Sequence, residues 1–148
     1  MDKQVKISRM ETNHYPLIPG LYARGFGDQA WPQDWYDIPQ FDPDGNWILF
    51  EGQEPVGFLI SFLSNHVPYI SVVTVIKEKQ GKGYGRKMLL QAIGHWTQKG
   101  YEKIRIHVNK DRLPALSLYE SMGFKRVGEN DEDFELVLWM DKYTSYRA

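Results

Sequence analysis

The stretch from Pro68 to Gly100 constrains the fold of this chain more than any other. PYISVVTVIKEK (68–79) is a β-branched run suited to a buried central strand. Gly81, Gly83 and Gly85 follow at alternate positions. Met88, Leu89, Ala92, Ile93 and Trp96 then fall on one helical face, and Gly100 stands where a helix C-cap is expected. That pattern predicts a helix over about 85–99. A strand that turns through glycines into a helix start presents backbone N–H groups at the positive end of a helix dipole, an arrangement that receives anions. Phosphate is the natural guest. Glycine permits close approach and positive φ, and Lys82, Arg86 and Lys87 can add charge-assisted contacts.

The flanks supply further strands and helices. QVKISRM (4–10) alternates like a strand, and residues 11–45 carry five prolines, which predicts short helices and loops there. NWILFEGQEPVGFLISFLSN (46–65) reads as a hairpin turning over EGQEP. EKIRIHVN (102–109) alternates Ile104, Ile106 and Val108 against Arg105, His107 and Asn109, as a strand with one buried face does. Asp111 is placed to cap a second helix with Ala115, Leu118, Tyr119 and Met122 inward and Gly123 at its end, and two strands around an acidic turn close the chain. The order is that of a mixed α/β domain. At 148 residues and 42% apolar content, one domain over 1–148 is the simplest division.

Composition excludes several classes. There is no cysteine, so no disulfide framework and no cysteine-ligated zinc, and no metal is expected. The formal net charge of -1 does not advertise nucleic-acid or membrane binding. No apolar run approaches the roughly 20 residues of a spanning helix, and MDKQVKISRM lacks an apolar signal core. A cytoplasmic protein is expected.

Three phosphate-loop templates compete for the glycines. The nucleotide-triphosphate loop G-x-x-x-x-G-K-[ST] is absent. The dinucleotide fingerprint would put Arg86 where a third glycine must allow close helix packing. The pattern [Q/R]-x-x-G-x-[G/A] is met by Gln80, Gly83 and Gly85. Here the chain resembles the GNAT superfamily, the general N-acetyltransferases that use acetyl coenzyme A; a flexible surface turn is the plain alternative. VNKDRLPALSLYESMGF (108–124) extends the resemblance, matching that family's V-x-x-x-N-x-x-A-x-x-L-Y-x-x-x-G-F segment at Val108, Ala115, Leu118, Tyr119, Gly123 and Phe124, with Arg112 where asparagine is common.

The resemblance implies a mixed, mostly antiparallel sheet with a central splayed parallel strand pair, flanked by helices. It implies that the backbone of Val73, Thr74 and Val75 holds pantetheine and the acetyl carbonyl, pairing as an added strand would. Gln80, Gly81, Lys82, Gly83, Tyr84, Gly85 and Arg86 would form the pyrophosphate loop, and Asn109 or Arg112 would stand in for the usual asparagine. Tyr119 resembles the tyrosine that protonates the coenzyme A sulfur; packing on the inner helical face is its structural alternative. Glu78, Ser71, His66 and His107 are the weaker candidates for a general base, beside deprotonation through water.

In that family the acceptor is received by the segment after the first strand and by the loop between the last two. Here the first carries Trp31, Trp35, Tyr36 and Phe41 among Asp28, Asp34, Asp37, Asp42 and Asp44, and the second Glu129, Asp131, Glu132 and Asp133. Aromatic faces with carboxylates attract cations. The expected partner is therefore a primary amine on a cationic small molecule or a lysine side chain, and a homodimer is an allowed assembly. The competing function is a coenzyme A-binding regulatory module without turnover; a nicotinamide oxidoreductase fails on glycine spacing.

Overall fold

A computed structural model describes residues 3–27 and 43–140. Among these residues seven strands form a sheet in the order β1-β2-β3-β4-β5-β7-β6. They are β1 (Val5–Arg9), β2 (Asn46–Glu51), β3 (Glu54–Ser64), β4 (Val67–Val75), β5 (Lys103–Asn109), β6 (Lys125–Glu129) and β7 (Asp133–Trp139). β4 pairs β5 in parallel, at Tyr69 with Arg105 and Ile70 with Ile106. The ladders β1–β2, β2–β3, β5–β7 and β6–β7 are antiparallel. Among the described residues the α-helices are α1 (Ile18–Gly25), α2 (Tyr84–Gln98) and α3 (Leu113–Ser121). This is the mixed, mostly antiparallel architecture expected. Among the described residues no helix is long and apolar enough to cross a membrane.

The chain forms two compact units, one of residues 1–62 and 72–92 and the other of residues 63–71 and 93–148. In the first, the hairpin β2–β3 turns at Gly52, whose φ of 63° suits glycine. Ile48, Leu49, Phe58 and Leu59 of the hairpin are fully buried, as are Met88, Leu89 and Ala92 of α2. Of the five prolines after β1, Pro32 and Pro39 lie outside the described residues, Pro16 and Pro43 sit in 3-10 turns, and Pro19 stands at the start of α1, where its missing N–H costs nothing. Two glycines let elements close on β4. A Cβ on Gly25 would lie 2.1 Å from Thr74 Oγ1, and one on Gly57 would lie 2.7 Å from the Thr74 carbonyl oxygen.

In the second unit, β5 buries Ile104, Ile106 and Val108 as its alternation requires. α2 ends as expected: Gly100 takes φ 92°, and the Tyr101 N–H donates to the Trp96 carbonyl at 3.2 Å. The cap of α3 departs from expectation. Arg112, not Asp111, precedes the helix, no side chain caps it, and Pro114 lies in its first turn. The Asp111 N–H is instead drawn into a turn by Asn109 Oδ1 at 2.9 Å. The buried positions of this short helix are Leu116 and Tyr119, with Met122 just beyond; Ala115 and Leu118 are only partly covered. α2 begins at Tyr84, one residue before the expected start.

Candidate functional site

The glycine loop lies wholly in the first unit. After Val75 the chain makes a 3-10 turn over Lys77–Lys79, then Gln80 resumes an extended conformation. Gln80 turns its side chain back, Nε2 donating to the Val75 carbonyl at 2.8 Å, which ties the loop to the end of β4. Gly81 and Gly83 have φ of 83° and 84°, and an added Cβ at either would meet nothing within 4 Å. Glycine is therefore needed here for the left-handed backbone, while the space above both residues is open. The Lys87 N–H donates to the Gly83 carbonyl at 3.1 Å as α2 begins, so the residues from Gly83 to Arg86 form the helix start. Arg86 and Lys87 are exposed. The loop has the form of an anion cradle.

The Tyr84 side chain is turned away from that role. It is buried, and its hydroxyl donates to Glu51 Oε2. Glu51 also takes Lys79 Nζ at 2.7 Å and Lys82 Nζ at 3.5 Å. The Lys79 ammonium first, and then the Tyr84 hydroxyl, hold the Glu51 carboxyl down at about 2. The sequence pattern gave no sign of Glu51, which sits at a strand end in an ordinary hairpin. Glu78 is paired with Arg24 at 2.5 Å, and that hydrogen bond holds its carboxyl below the usual range. This occupied carboxylate makes a poor base.

The second unit holds the remaining candidates. Tyr119 is buried at 6% exposure beside Phe124, their ring centroids 6.0 Å apart. Burial pushes its phenol up to about 12, and the Arg112 charge acts in the opposite direction. Arg112 is thus within electrostatic reach of Tyr119. Asn109 engages Asp111 through Oδ1 as described above, which commits its carbonyl to the β5–α3 turn.

A second cluster forms where β4, β5 and β7 run side by side. Tyr69 Oη lies 3.3 Å from His107 Nδ1, and His107 Nε2 lies 3.6 Å from Glu135 Oε1. Arg105 Nη2 binds the same carboxylate oxygen at 2.5 Å, and the guanidinium carbon Cζ lies over the Tyr69 ring at 5.8 Å from its centroid. Arg105 holds Glu135 below its ordinary pKa, while burial raises Tyr69. An acceptor on the Nε2 side favours the tautomer whose Nδ1 lone pair faces Tyr69. Register makes this cluster: Arg105 stands opposite Tyr69, and His107 opposite Glu135. Alternation placed His107 on the strand face, but its partners lie in other strands.

Of the acceptor-side residues, Trp31, Trp35, Tyr36, Phe41, Asp28, Asp34, Asp37 and Asp42 lie outside the described residues. Asp44 pairs with Arg9 at 3.1 Å. In the β6–β7 turn, Lys110 holds Glu129 at 2.5 Å, and Asn130 Oδ1 accepts the N–H groups of Glu132 and Asp133 at 2.8 and 2.7 Å. Asp131 and Glu132 are exposed. Ser71 is half-buried, and His66 sits in the β3–β4 turn with φ of 64°.

A model of the acetyltransferase (GNAT) family matches residues 15–124. The mycothiol acetyltransferase of Streptomyces scabiei is 31% identical over 113 residues, covering 75% of this chain and 35% of that protein. The chain spans about a third of the length of the curated relatives it matches. Among solved structures, the ribosomal-protein-S18-alanine N-acetyltransferase of Escherichia coli superposes with a TM-score of 0.79 at 21% identity, over 93% of this chain and 94% of that one. The PaiA N-acetyltransferase of Thermoplasma acidophilum, in complex with coenzyme A, gives a TM-score of 0.77 at 14% identity, over 92% and 99%. At such identities the structural likeness is one of fold.

Proposed function

The chain belongs to the acetyltransferase (GNAT) family, and we propose that it works as a single acetyltransferase domain that moves the acetyl group of acetyl coenzyme A to a primary amine. The observation that carries this reading is the glycine loop: two left-handed glycines under open space, tied back to β4 by Gln80 and running into the start of α2. That cradle suits a diphosphate. Coenzyme A in the Thermoplasma neighbour supports the same ligand here.

Acetyl coenzyme A supplies a thioester whose acetyl carbon an amine can attack. The backbone of Val73, Thr74 and Val75 would pair with its pantetheine arm. Main-chain groups from Gly81 to Arg86 would receive the diphosphate, with Lys82, Arg86 and Arg112 adding charge. Tyr119 Oη keeps its proton at neutral pH and would give it to the departing sulfur. His107, whose Nδ1 faces the Tyr69 hydroxyl and whose Nε2 faces Glu135, would take the amine's proton through that hydroxyl. The exposed carboxylates Asp131 and Glu132 favour a cationic acceptor, such as a polyamine or a lysine side chain.

Thiol release from acetyl coenzyme A over a panel of cationic, neutral and acidic amines tests this. We expect amine-dependent release with cationic amines preferred, and a fall in kcat of about tenfold or more in His107→Gln with KM for acetyl coenzyme A little changed. Preference for neutral or acidic amines would overturn the cationic acceptor, and an unchanged kcat would remove His107. Tight binding without turnover on any amine would make the protein a coenzyme A-binding module, a role left open by Arg112 in place of the usual asparagine.

A further inference from the structure

Among the described residues of the first unit Glu51 is the most deeply covered carboxylate, its side chain 8% exposed, and it lies beside a loop read as an anion site. Alone, such a charge would repel a diphosphate and would be costly to bury. Its surroundings remove both objections. Lys79 and Lys82 give it two ammonium partners, so the three groups together carry one positive charge. The Tyr84 hydroxyl supplies a hydrogen bond from the first residue of α2.

The carboxylate is also presented from a rigid place. Glu51 ends β2, in register with Val5 of β1 and Glu54 of β3, and the next N–H, of Gly52, donates to the Gln4 carbonyl at 2.7 Å. Lys79, Lys82 and Tyr84 bracket Gly81 and Gly83, so one fixed carboxylate grips the glycine loop on both sides.

We propose that Glu51 is a positioning residue that holds the glycine loop in its diphosphate-receiving shape through Lys79, Lys82 and Tyr84. The proposal rests on the acetyl coenzyme A reading above. The two lysines divide the work. Lys79, at 2.7 Å and mostly covered, is the structural clamp; Lys82, at 3.5 Å and half exposed, can turn to the ligand while Lys79 stays. The grip is strong enough to keep Glu51 ionised far below neutral pH.

The test compares two acetyl donors, acetyl coenzyme A and acetyl-pantetheine, which lacks the diphosphate, in the wild type and in Glu51→Ala, Glu51→Gln and Tyr84→Phe. Glu51→Ala should raise KM for acetyl coenzyme A by about tenfold or more. kcat should stay within about twofold, and kcat/KM for acetyl-pantetheine should not change. Glu51→Gln, which keeps an acceptor for Tyr84 but loses the charge, should fall in between. If Glu51→Ala does not fold, Tyr84→Phe reads the same effect from the removal of one hydroxyl. Equal losses with both donors would reduce Glu51 to general stability and overturn the proposal. Unchanged KM, or tighter binding once the carboxylate is removed, would overturn it as well. Calorimetric titration of coenzyme A into the wild type separates the two levels. No binding brings down the parent reading and this proposal with it, whereas normal wild-type binding with indifferent variants brings down this proposal alone.

Discussion

Tyr119 was legible in the sequence as a motif tyrosine, but its two readings, donor and packing residue, could not be separated there. The structure shows the packing, and the donor role rests on the function proposed above. It is buried next to Phe124, and burial lifts its phenol from 10.0 to about 12. A raised folded-state pKa contributes stability that is fully present below pH 10 and lost as pH rises through about 12. Tyr119→Phe should therefore be less sensitive than the wild type to alkali across that window, measured as melting temperature against pH. It should also lower kcat by about a hundredfold, with KM for acetyl coenzyme A within about threefold. Unchanged kcat would remove Tyr119 from the chemistry. Gly83 was equally legible, for a reason the structure refines: no neighbour lies within 4 Å of its Cβ position, and the demand is for φ of 84°. Valine there costs about 1–3 kcal/mol of backbone strain. Gly83→Val should weaken coenzyme A binding at least tenfold by calorimetry, roughly the effect of 1.4 kcal/mol. Unaltered affinity would misplace the loop.

At the scale of elements, local periodicity carried most of the fold. The apolar set Met88, Leu89, Ala92, Ile93 and Trp96 is buried as its spacing requires, and β5 alternates as read. The start of α3 was misread because two local signals compete: Asp111 is a good capping residue, yet Asn109 takes its N–H first and Pro114 sets the first turn two residues later. Close packing of elements was invisible. Gly57 looks like any strand glycine, but a Cβ there would stand 2.7 Å from the Thr74 carbonyl and 3.1 Å from Met88 Cε. Methionine can yield; a strand carbonyl cannot without moving β4. Gly57→Ala should destabilise by about 1–3 kcal/mol in urea unfolding, and should weaken coenzyme A binding because Thr74 belongs to the segment proposed to pair with pantetheine. Full stability would mean that β3 can recede at no cost.

For the molecule as a whole, net charge is informative through its smallness. With a formal charge of -1, long-range attraction of the proposed anionic coenzyme and cationic amine would have to come from local groups, the exposed Arg86 and Lys87 for the one and Asp131 and Glu132 for the other. Exposed charges are screened by salt. Raising ionic strength should therefore increase KM for both substrates by about twofold to fivefold with kcat steady, measured in steady-state assays across added sodium chloride. A salt-insensitive KM for the amine would count against a cationic acceptor. The chain by itself determined the order of strands and helices, the apolar faces and the place of the glycine loop, because these depend on residues a few positions apart. Only the tertiary structure decided that Glu51 meets Lys79, 28 residues on, and that Tyr69 meets His107, 38 residues on. Such pairs depend on strand order and register, which bring distant positions together by sheet geometry and leave no periodic trace in the chain.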